Sequence, residues 1–360
     1  MGRLWHDGRV RGGLIQIALL IAVAGLIAWI ANNTVQNLQA RGIRVGFEFL
    51  QRGARFPISE SVLPYTPQDT FLWAYAVGLG NTLWISALAI IGATVLGLGV
   101  GLAGRSDHPL LSGLAASYVT LMRNLPLIVQ LLFWYALATS VFPAPRDAWQ
   151  PLPGVFLSQR GVFIPTVPAM PLLLALAAAA AALWLMPRFR WIAAALAFTA
   201  VLILNGATLE MPEQRGFSFT GGARLSPEFT ALMLGLVLYT AAFIGEIIRG
   251  GIEAVSRGQW EAGRALGLTD RVTLRRIILP QALRIIIPPL TSQYLSTVKN
   301  TTLALAVGYP ELGLVVNTVI NQTGQAIESL VIMLGVFLTI SLSVSLLMNW
   351  YNARMAIVVR

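Results

Sequence analysis

Long apolar segments separated by shorter polar ones dominate the hydrophobic pattern of this chain. A bilayer core of about 30 Å requires roughly 20 apolar residues per helix, and several segments approach or exceed that length. The candidate spans lie at about 14–31, 71–103, 117–141, 168–186, 191–206, 228–248, 282–308 and 329–348. The pattern predicts an all-α integral membrane protein with about eight transmembrane helices.

Several of these segments depart from a simple straight crossing. The first span follows a short basic arm like that of a signal peptide, but its apolar run is long and no A-x-A cleavage site follows. We therefore interpret it as a retained anchor. Residues 32–70 mix arginines with apolar side chains, as expected of a segment lying at the membrane surface. Pro126 is expected to kink the third span.

The polar intervals suggest how the chain is organised. Residues 142–164 and 207–227 are predicted to be loops, and between them two spans joined by a basic turn at 187–190 form a helical hairpin. Four parts result. They are an anchor with a periplasmic or interfacial segment (1–70), the first part of a core (71–141), an insertion with the hairpin (142–227) and the second part of the core (228–360).

Composition agrees with a membrane location and excludes some chemistry. The chain is 56% hydrophobic and 11% charged, and it has no cysteine, which excludes disulfides and thiolate chemistry. With two histidines, a clustered imidazole metal site is not expected. Although the net charge is +10, arginines of a membrane protein chiefly set its orientation, so we do not expect nucleic-acid binding.

The distribution of arginine predicts the orientation. With both termini inside, the inner segments hold most of the arginines, including seven from Arg249 to Arg284, whereas the predicted outer loop at 309–328 has none. The positive-inside rule therefore favours an N-in, C-in topology. This topology places residues 249–281 in the cytoplasm.

The single lysine of the chain, Lys299, does not lie in an ATP-binding motif. A P-loop requires Gly-Lys-Ser/Thr, since its lysine reaches the terminal phosphates. Lys299 lies instead between Val298 and Asn300. The chain has no Walker A motif, so ATP-driven work by that route requires another subunit.

Charge is concentrated in the predicted cytoplasmic segment 249–281, where "EAGRALGLTDRVTLRRIILP" (261–280) carries four arginines and two acids. Gly267 is placed where a left-handed cap would end a first helix. Asp270 is expected to cap a second helix that runs to Leu279 and is stopped by Pro280. Arg257, Arg264 and Arg271 are spaced seven apart, and Val255, Trp260, Ala265 and Leu266 recur at helical spacing. The loop is either a solvated amphipathic connection or an element that docks in a partner's groove.

Residues 249–281, named the coupling loop from here on, resemble the signature loop of ABC importer permeases, E-A-A-x3-G-x9-I-x-L-P. The matching positions are Glu261, Ala262, Gly267, Ile277, Leu279 and Pro280, and Gly263 replaces the second alanine. The stretches 78–83, 123–135, 246–268, 279–290 and 299–303 are similar to the branch that imports polar amino acids. With its long 32–70 segment and its hairpin, the chain resembles the larger permease subunits of broad-specificity L-amino acid importers.

This resemblance implies a type I ABC importer of polar L-amino acids in the bacterial inner membrane. The implied partners are a cytoplasmic ABC ATPase dimer, a second permease subunit (related or identical), a periplasmic amino-acid-binding protein and the lipid membrane. No cofactor is expected on this chain, since ATP and Mg²⁺ would lie on the ATPase. The residues expected to couple to the ATPase are Glu261, Ala262, Gly263, Arg264, Gly267 and Asp270.

Polar residues inside the spans require a reason, because a charged side chain there costs about 2.5–3.5 kcal/mol on insertion scales. Candidates for the translocation path or its gate are Asn81, Thr82, Glu246, Lys299, Asn300 and Thr301. For Asn81, Thr82 and the cluster at Lys299, structural hydrogen bonds to neighbouring helices are the alternative. For Glu246 the alternative is a structural ion pair within its own helix. Glu246 and Arg249 are three residues apart and are expected to pair on one helix face.

Two other classes of function fit the sequence less well. A self-contained secondary transporter or channel usually shows internal repeats with paired broken helices, and none is evident in the sequence. A membrane enzyme would need a clustered acid, base or metal site, whereas the few intramembrane charges are scattered.

Overall fold

The computed structural model describes residues 8–40, 46–186, 189–206 and 208–355. The helices are α1 (Gly8–Ala40), α2 (Phe71–Gly104), α3 (Pro109–Asn124), α4 (Leu127–Ala136), α5 (Ala169–Leu185), α6 (Arg190–Leu204), α7 (Pro227–Glu253), α8 (Arg257–Ala265), α9 (Asp270–Thr273), α10 (Leu279–Asn300), α11 (Leu312–Thr323) and α12 (Ala326–Met355). The strands are β1 (Trp149–Leu152), β2 (Val155–Ser158), β3 (Gly161–Ile164), β4 (Glu213–Arg215), β5 (Ser218–Thr220) and β6 (Ala223–Leu225). Part of the predicted turn at 187–190 lies outside the described residues.

Helices correspond to each of the eight predicted spans, but not all are long and apolar enough to cross a membrane alone. Within the described residues, α1, α2, α7 and α12 meet that requirement, and the bent pair α3–α4 brings the number to as many as five. The hairpin helices α5 and α6 are shorter apolar helices. The crossings by α5, α6 and α10 therefore remain predictions.

The predicted kink at Pro126 is a sharp break between α3 and α4. The two helices meet at 99°. Leu125 adopts an extended conformation immediately before the proline, because the proline ring disfavours a helical conformation at the preceding residue. The side-chain amide of Gln130 donates to the carbonyls of Met122 and Leu125 across the break, at 3.0 and 3.1 Å. Backbone carbonyls that lose their helical partners at the break thus find a hydrogen-bond donor inside the protein.

Helices α2 and α7 pack closely against each other and form the centre of the molecule. Glycine permits this approach, since a Cβ built on Gly101 would lie 2.7 Å from the carbonyl oxygen of Gly245. A Cβ on Gly97 would lie 2.7 Å from the side chain of Ile244. Small residues at such positions are the usual device by which membrane helices approach each other.

The polar intervals on either side of the hairpin form a small β-structure, which corrects the prediction of two loops. Strands β1, β2, β3 and β6 make an antiparallel sheet in that order, and β4 and β5 form a separate hairpin. Phe163 of the sheet stacks on Phe219 of the β4–β5 hairpin, with ring centroids 4.1 Å apart. Since β3 precedes α5 and β6 follows α6, the pairing joins both ends of the insertion.

The segment 46–70 packs against the core. Phe49 and Phe56 are buried with Phe71 at the start of α2 and with Leu312 and Val315 of α11. It contains a short 3₁₀ turn (Glu48–Gln51) and forms no crossing helix. The predicted surface segment begins at residue 32, but helix α1 continues to Ala40. That residues 46–70 lie at the membrane surface stays a prediction.

Candidate functional site

The first helix of the coupling loop ends as the sequence predicts. Gly267 has φ +72°, and its N–H donates to the carbonyl of Arg264 at 2.9 Å. The N–H of Leu268 donates to the carbonyl of Gly263 at 3.0 Å. This pair of bonds is a Schellman motif, which requires a left-handed residue at the position of Gly267.

Gly263 lies where α8 and α9 meet, which gives a structural reason for the glycine at this position. A Cβ on Gly263 would lie 2.6 Å from the side chain of Thr273. Thr273 is fully buried, and its hydroxyl has no hydrogen-bond partner among the described residues. The glycine that departs from the family pattern therefore accommodates the threonine.

Two details of the second helix differ from the prediction. Asp270 is its first residue, and Thr269 precedes it at the cap position without a side-chain cap bond. The carboxylate of Asp270 instead accepts from Nε of Arg264 at 3.1 Å. Pro280 also does not end the helix. The chain continues from α9 through a π-helical turn (Leu274–Ile278) directly into α10. Pro280 falls within the first turn of α10, where its missing N–H is tolerated.

The faces of α8 also differ from the predicted arrangement. Val255 is buried, and Trp260 of α8 packs against the same hydrophobic cluster, with the guanidinium of Arg105 5.4 Å from its ring. Ala265 and Leu266 point away from this contact and are exposed, Leu266 to 75%. The four apolar residues therefore do not share one buried face. Because α8 ends before Gly267, the three arginines spaced seven apart do not lie on one helix.

The coupling loop therefore presents a mixed surface that nothing in the described chain covers. Glu261, Ala262 and Leu266 are exposed there. The ion pair between Arg264 and Asp270 is also open to solvent, with exposed fractions of 66% and 65%. An exposed pair of this kind contributes little stability. A rigid helix end with an apolar tip and charged rim has the composition of a docking surface.

Ion pairs at the end of α7 lie next to the coupling loop. As predicted, Arg249 pairs with Glu246, at 2.5 Å between Nη2 and Oε1. Arg249 also contacts Glu253 at 2.9 Å. One guanidinium thus links two successive turns of α7 immediately before α8 begins. Glu246 and Arg249 line a cavity of about 660 Å³ with Arg123, whose guanidinium lies 5.1 Å from the ring of Phe243.

Asn81 and Thr82 lie at a packed junction. The amide of Asn81 donates to the carbonyl of Pro310 at 2.8 Å, and Thr82 accepts from the N–H of Leu312 at 3.1 Å. Both residues are buried. They join α2 to the start of α11, so the hydrogen-bonding interpretation accounts for their contacts.

Lys299, Asn300 and Thr301 mark the end of α10, where a 3₁₀ segment (Thr301–Ala306) begins. Thr301 is buried and donates to the carbonyl of Val298 at 2.8 Å. Lys299 is exposed, and its ammonium takes part in none of the ion pairs of the described residues. The structure thus brings the three together without joining them to Asn81 and Thr82.

Sequence reasoning missed a buried acid, Glu311. Its carboxylate caps α11 by accepting from the N–H of Leu314 at 3.0 Å, and the hydroxyl of Thr82 lies 3.4 Å away. Burial raises the pKa of Glu311 to about 7, although the hydrogen bonds it accepts act in the opposite direction. An acidic residue directly before an apolar helical run was the available signal.

The spans, the bend at Pro126 and the exposed coupling loop together define a multi-pass permease subunit of an ABC importer. Residues 93–357 match the family described as "Binding-protein-dependent transport system inner membrane component", and the chain belongs to that family. A permease subunit of this kind is not itself the catalyst of ATP hydrolysis, and it works with ATPase and substrate-binding partners.

Two relatives are similar to this chain over nearly its whole length. The chain is 47% identical to "Putative amino-acid ABC transporter permease protein YhdX" of Escherichia coli, covering 98% of this chain and 95% of the relative. It is 38% identical to "General L-amino acid transport system permease protein AapQ" of Rhizobium johnstonii, covering 99% and 94%. A solved structure described as "Crystal structure of an amino acid ABC transporter with histidines" has a TM-score of 0.51 at 22% identity, covering 79% and 95%. This last likeness supports the fold alone.

Proposed function

We propose that this chain forms part of the path by which polar L-amino acids cross the bacterial inner membrane. Two curated relatives that match it over almost their full length are described as amino-acid permeases, one of them for L-amino acids in general. The residues 71–141 and 228–360 would form the core of the path, and 142–227 would be an insertion on its outer side. A second permease subunit would complete the path.

We further propose that residues 256–270 dock on a cytoplasmic ABC ATPase dimer. The observation that carries this proposal is the exposed end of α8, which is closed by Gly267 and fixed to α9 through Gly263 and Thr273. A rigid element transmits the movement of a partner, whereas a flexible loop absorbs it. ATP and Mg²⁺ would be held by the ATPase, and a periplasmic amino-acid-binding protein would deliver the substrate.

Lys299 is the residue that we propose for the path or its gate, with Asn300 and Thr301 beside it. Its exposed ammonium has no partner among the described ion pairs. In the assembled transporter, an uncompensated cation at this depth requires water or another subunit. Glu246 would act differently, by holding Arg249 at the base of the coupling loop.

Cross-linking tests the docking proposal directly, because the native chain has no cysteine. Ala262→Cys and Leu266→Cys place single thiols on the exposed surface of the coupling loop. With a short thiol cross-linker, both should join this chain to the ATPase in the assembled transporter. Thr220→Cys, exposed on β5, is the matched control and should give no such product. Cross-links from 262 and 266 that reach lipid but never an ATPase would contradict the proposal.

A further inference from the structure

A second cavity, of about 670 Å³, lies at the end of the helix bundle opposite the coupling loop. It is bounded by the segment 46–70, residues 81–88 in the middle of α2, the first turns of α7, and β6. Two opposite charges line it, Glu60 and Arg224, together with the aromatic side chains of Trp84, Phe229 and Tyr309. A few polar groups within an apolar wall are typical of small-molecule sites of this size.

Glu60 is held at this cavity by Asn81. The side-chain amide of Asn81 donates to the carbonyl of Glu60 at 2.8 Å, and its oxygen accepts from the N–H of Val62 at 3.0 Å. These bonds fix the backbone on both sides of residue 61. Asn81 is therefore a positioning residue for the acid.

The carboxyl group of Glu60 is half-buried and only partly compensated. Burial raises its pKa, and Glu228 acts in the same direction, whereas the hydroxyl of Ser226 and the charge of Arg224 lower it. Glu228 itself accepts from the hydroxyl of Tyr135 at 3.3 Å. A cation placed at Glu60 would satisfy a group that the protein leaves under-compensated.

Arg224 is oriented by the backbone and carries its charge unpaired. Its Nε donates to the carbonyl of Arg160 at 3.1 Å, which fixes the guanidinium against the sheet. Among the ion pairs of the described residues, none includes Arg224 or Glu60. Two opposite charges thus line the same cavity without forming an ion pair, although the charge of Arg224 lowers the pKa of Glu60.

We propose that this cavity binds a free zwitterionic α-amino acid, with its ammonium group at Glu60 and its carboxylate at Arg224. A ligand that carries both charges satisfies the two groups at once, and the guanidinium fork suits a carboxylate. The ligand's side chain would lie against Trp84, Phe229 and Met233. The inference rests on the proposed function, and it adds a site at the entrance of the path that recognises the part shared by all α-amino acids.

The test is direct binding to the complete transporter in lipid nanodiscs without the binding protein. Titration calorimetry with L-glutamine and L-glutamate should detect binding to the wild-type complex. Glu60→Gln and Arg224→Gln should each weaken it about tenfold or more, because each removes one of the two charge partners. Glu213→Gln, an exposed acid on β4 outside the cavity, should leave affinity unchanged. N-acetyl-L-glutamine, which lacks the ammonium group, should bind weakly to the wild type and lose little further in Glu60→Gln.

A second measurement avoids any dependence on the charge variants folding. Ser61→Cys introduces one thiol at the cavity, and its labelling by a membrane-impermeant maleimide should slow in L-glutamine but not in N-acetyl-L-glutamine. An unchanged labelling rate in saturating L-glutamine would contradict the proposed site. Equal affinity for L-glutamine in the wild type, Glu60→Gln and Arg224→Gln would also contradict it. So would a wild-type complex that binds neither amino acid. Retained ATPase association in the same preparations would show that the proposed function stands while the site fails.

Discussion

At the scale of single residues, buried polar groups fix the non-helical parts of the chain to the helices. Asn81 holds segment 46–70 through two backbone groups and the start of α11 through a third. Glu311 caps α11 and lies beside Thr82. Both residues join distant segments, so substitutions there act on the architecture of the outer end rather than on one helix.

The burial of Glu311 predicts a pH dependence of stability. Its pKa is about 7 in the folded chain, against an ordinary 4.5, so the folded state holds this proton more tightly than the unfolded state. The contribution of this protonation to the free energy of unfolding is therefore fully present below pH 4.5. It is lost as the pH rises towards 7 and changes little above pH 7. In Glu311→Gln, whose amide oxygen still accepts from Leu314, the fall in melting temperature between pH 4.5 and 7 should be smaller. Glu213→Gln is the exposed control, and parallel curves for all three proteins would contradict this account.

At the scale of elements, the close approach of α2 and α7 depends on which face of α2 carries each glycine. Gly101 is buried against the carbonyl of Gly245, whereas Gly99, two residues earlier, has nothing within 4 Å of a built Cβ. The two glycines are nearly equivalent in the sequence. Only the helix packing distinguishes them.

This contrast predicts opposite outcomes for a matched pair of substitutions. Gly101→Val should force the helices apart at a cost of about 1–3 kcal/mol, the usual range for overpacking, and reduce the yield of folded transporter. Gly99→Val should be tolerated, since its side chain enters open space. Thermal denaturation and monodispersity of the purified complex measure both. Equal stability of the two variants would show that α2 and α7 are not packed as described.

The elements also show which features the sequence can predict and which it cannot. The cap at Gly267 follows a local rule, and the structure confirms it. Asp270 has the right residue type for a cap, yet a salt bridge to Arg264 across the turn engages its carboxylate instead. The pairing of β3 with β6 joins residues about 60 apart in strands of four and three residues. Such short strands carry no detectable alternation, so the small sheet was not predictable.

At the scale of the whole molecule, the two ends of the bundle differ in structure, and we propose a different function for each. The coupling loop follows α7 at one end, and the β-structure with the cavity of Glu60 and Arg224 lies at the start of α7 at the other. The sequence could not indicate this second site, because Glu60 and Arg224 lie in segments interpreted as interfacial and loop. Asn81 was recognised as polar and intramembrane, but its partners became evident only from the packing.

The predicted orientation assigns these ends to opposite sides of the membrane. Reporter tags inserted at 155, in β2, and at 216, between β4 and β5, should be reachable only from outside intact cells. The reason is that the arginine-rich coupling loop stays in the cytoplasm under the positive-inside rule. A tag at 262 is the control and should be protected until the cells are opened. Access to 155 or 216 only from the cytoplasm would reject the topology.

The central claim is that the coupling loop transmits ATPase movement to the spans, and a pair of matched glycines tests it. Gly267 and Gly324 each end a helix with φ +72° and have open space around a built Cβ. Valine at either position incurs a similar conformational cost, about 1–3 kcal/mol, but only Gly267 lies in the coupling loop. The exposed ion pair between Arg264 and Asp270 contributes less than the helix cap. Arg264→Ala should therefore reduce coupling to the ATPase less than Gly267→Val does.

The measurement is substrate-stimulated ATP hydrolysis in reconstituted vesicles, together with co-purification of the ATPase. Gly267→Val should insert normally and accept the binding protein, yet lose ATPase association or stimulation. Gly324→Val should retain both, and Gly267→Asn should preserve coupling because asparagine tolerates the left-handed conformation. Full stimulation in Gly267→Val, or an equal loss in Gly324→Val, would contradict the claim that this loop couples the chain to its ATPase.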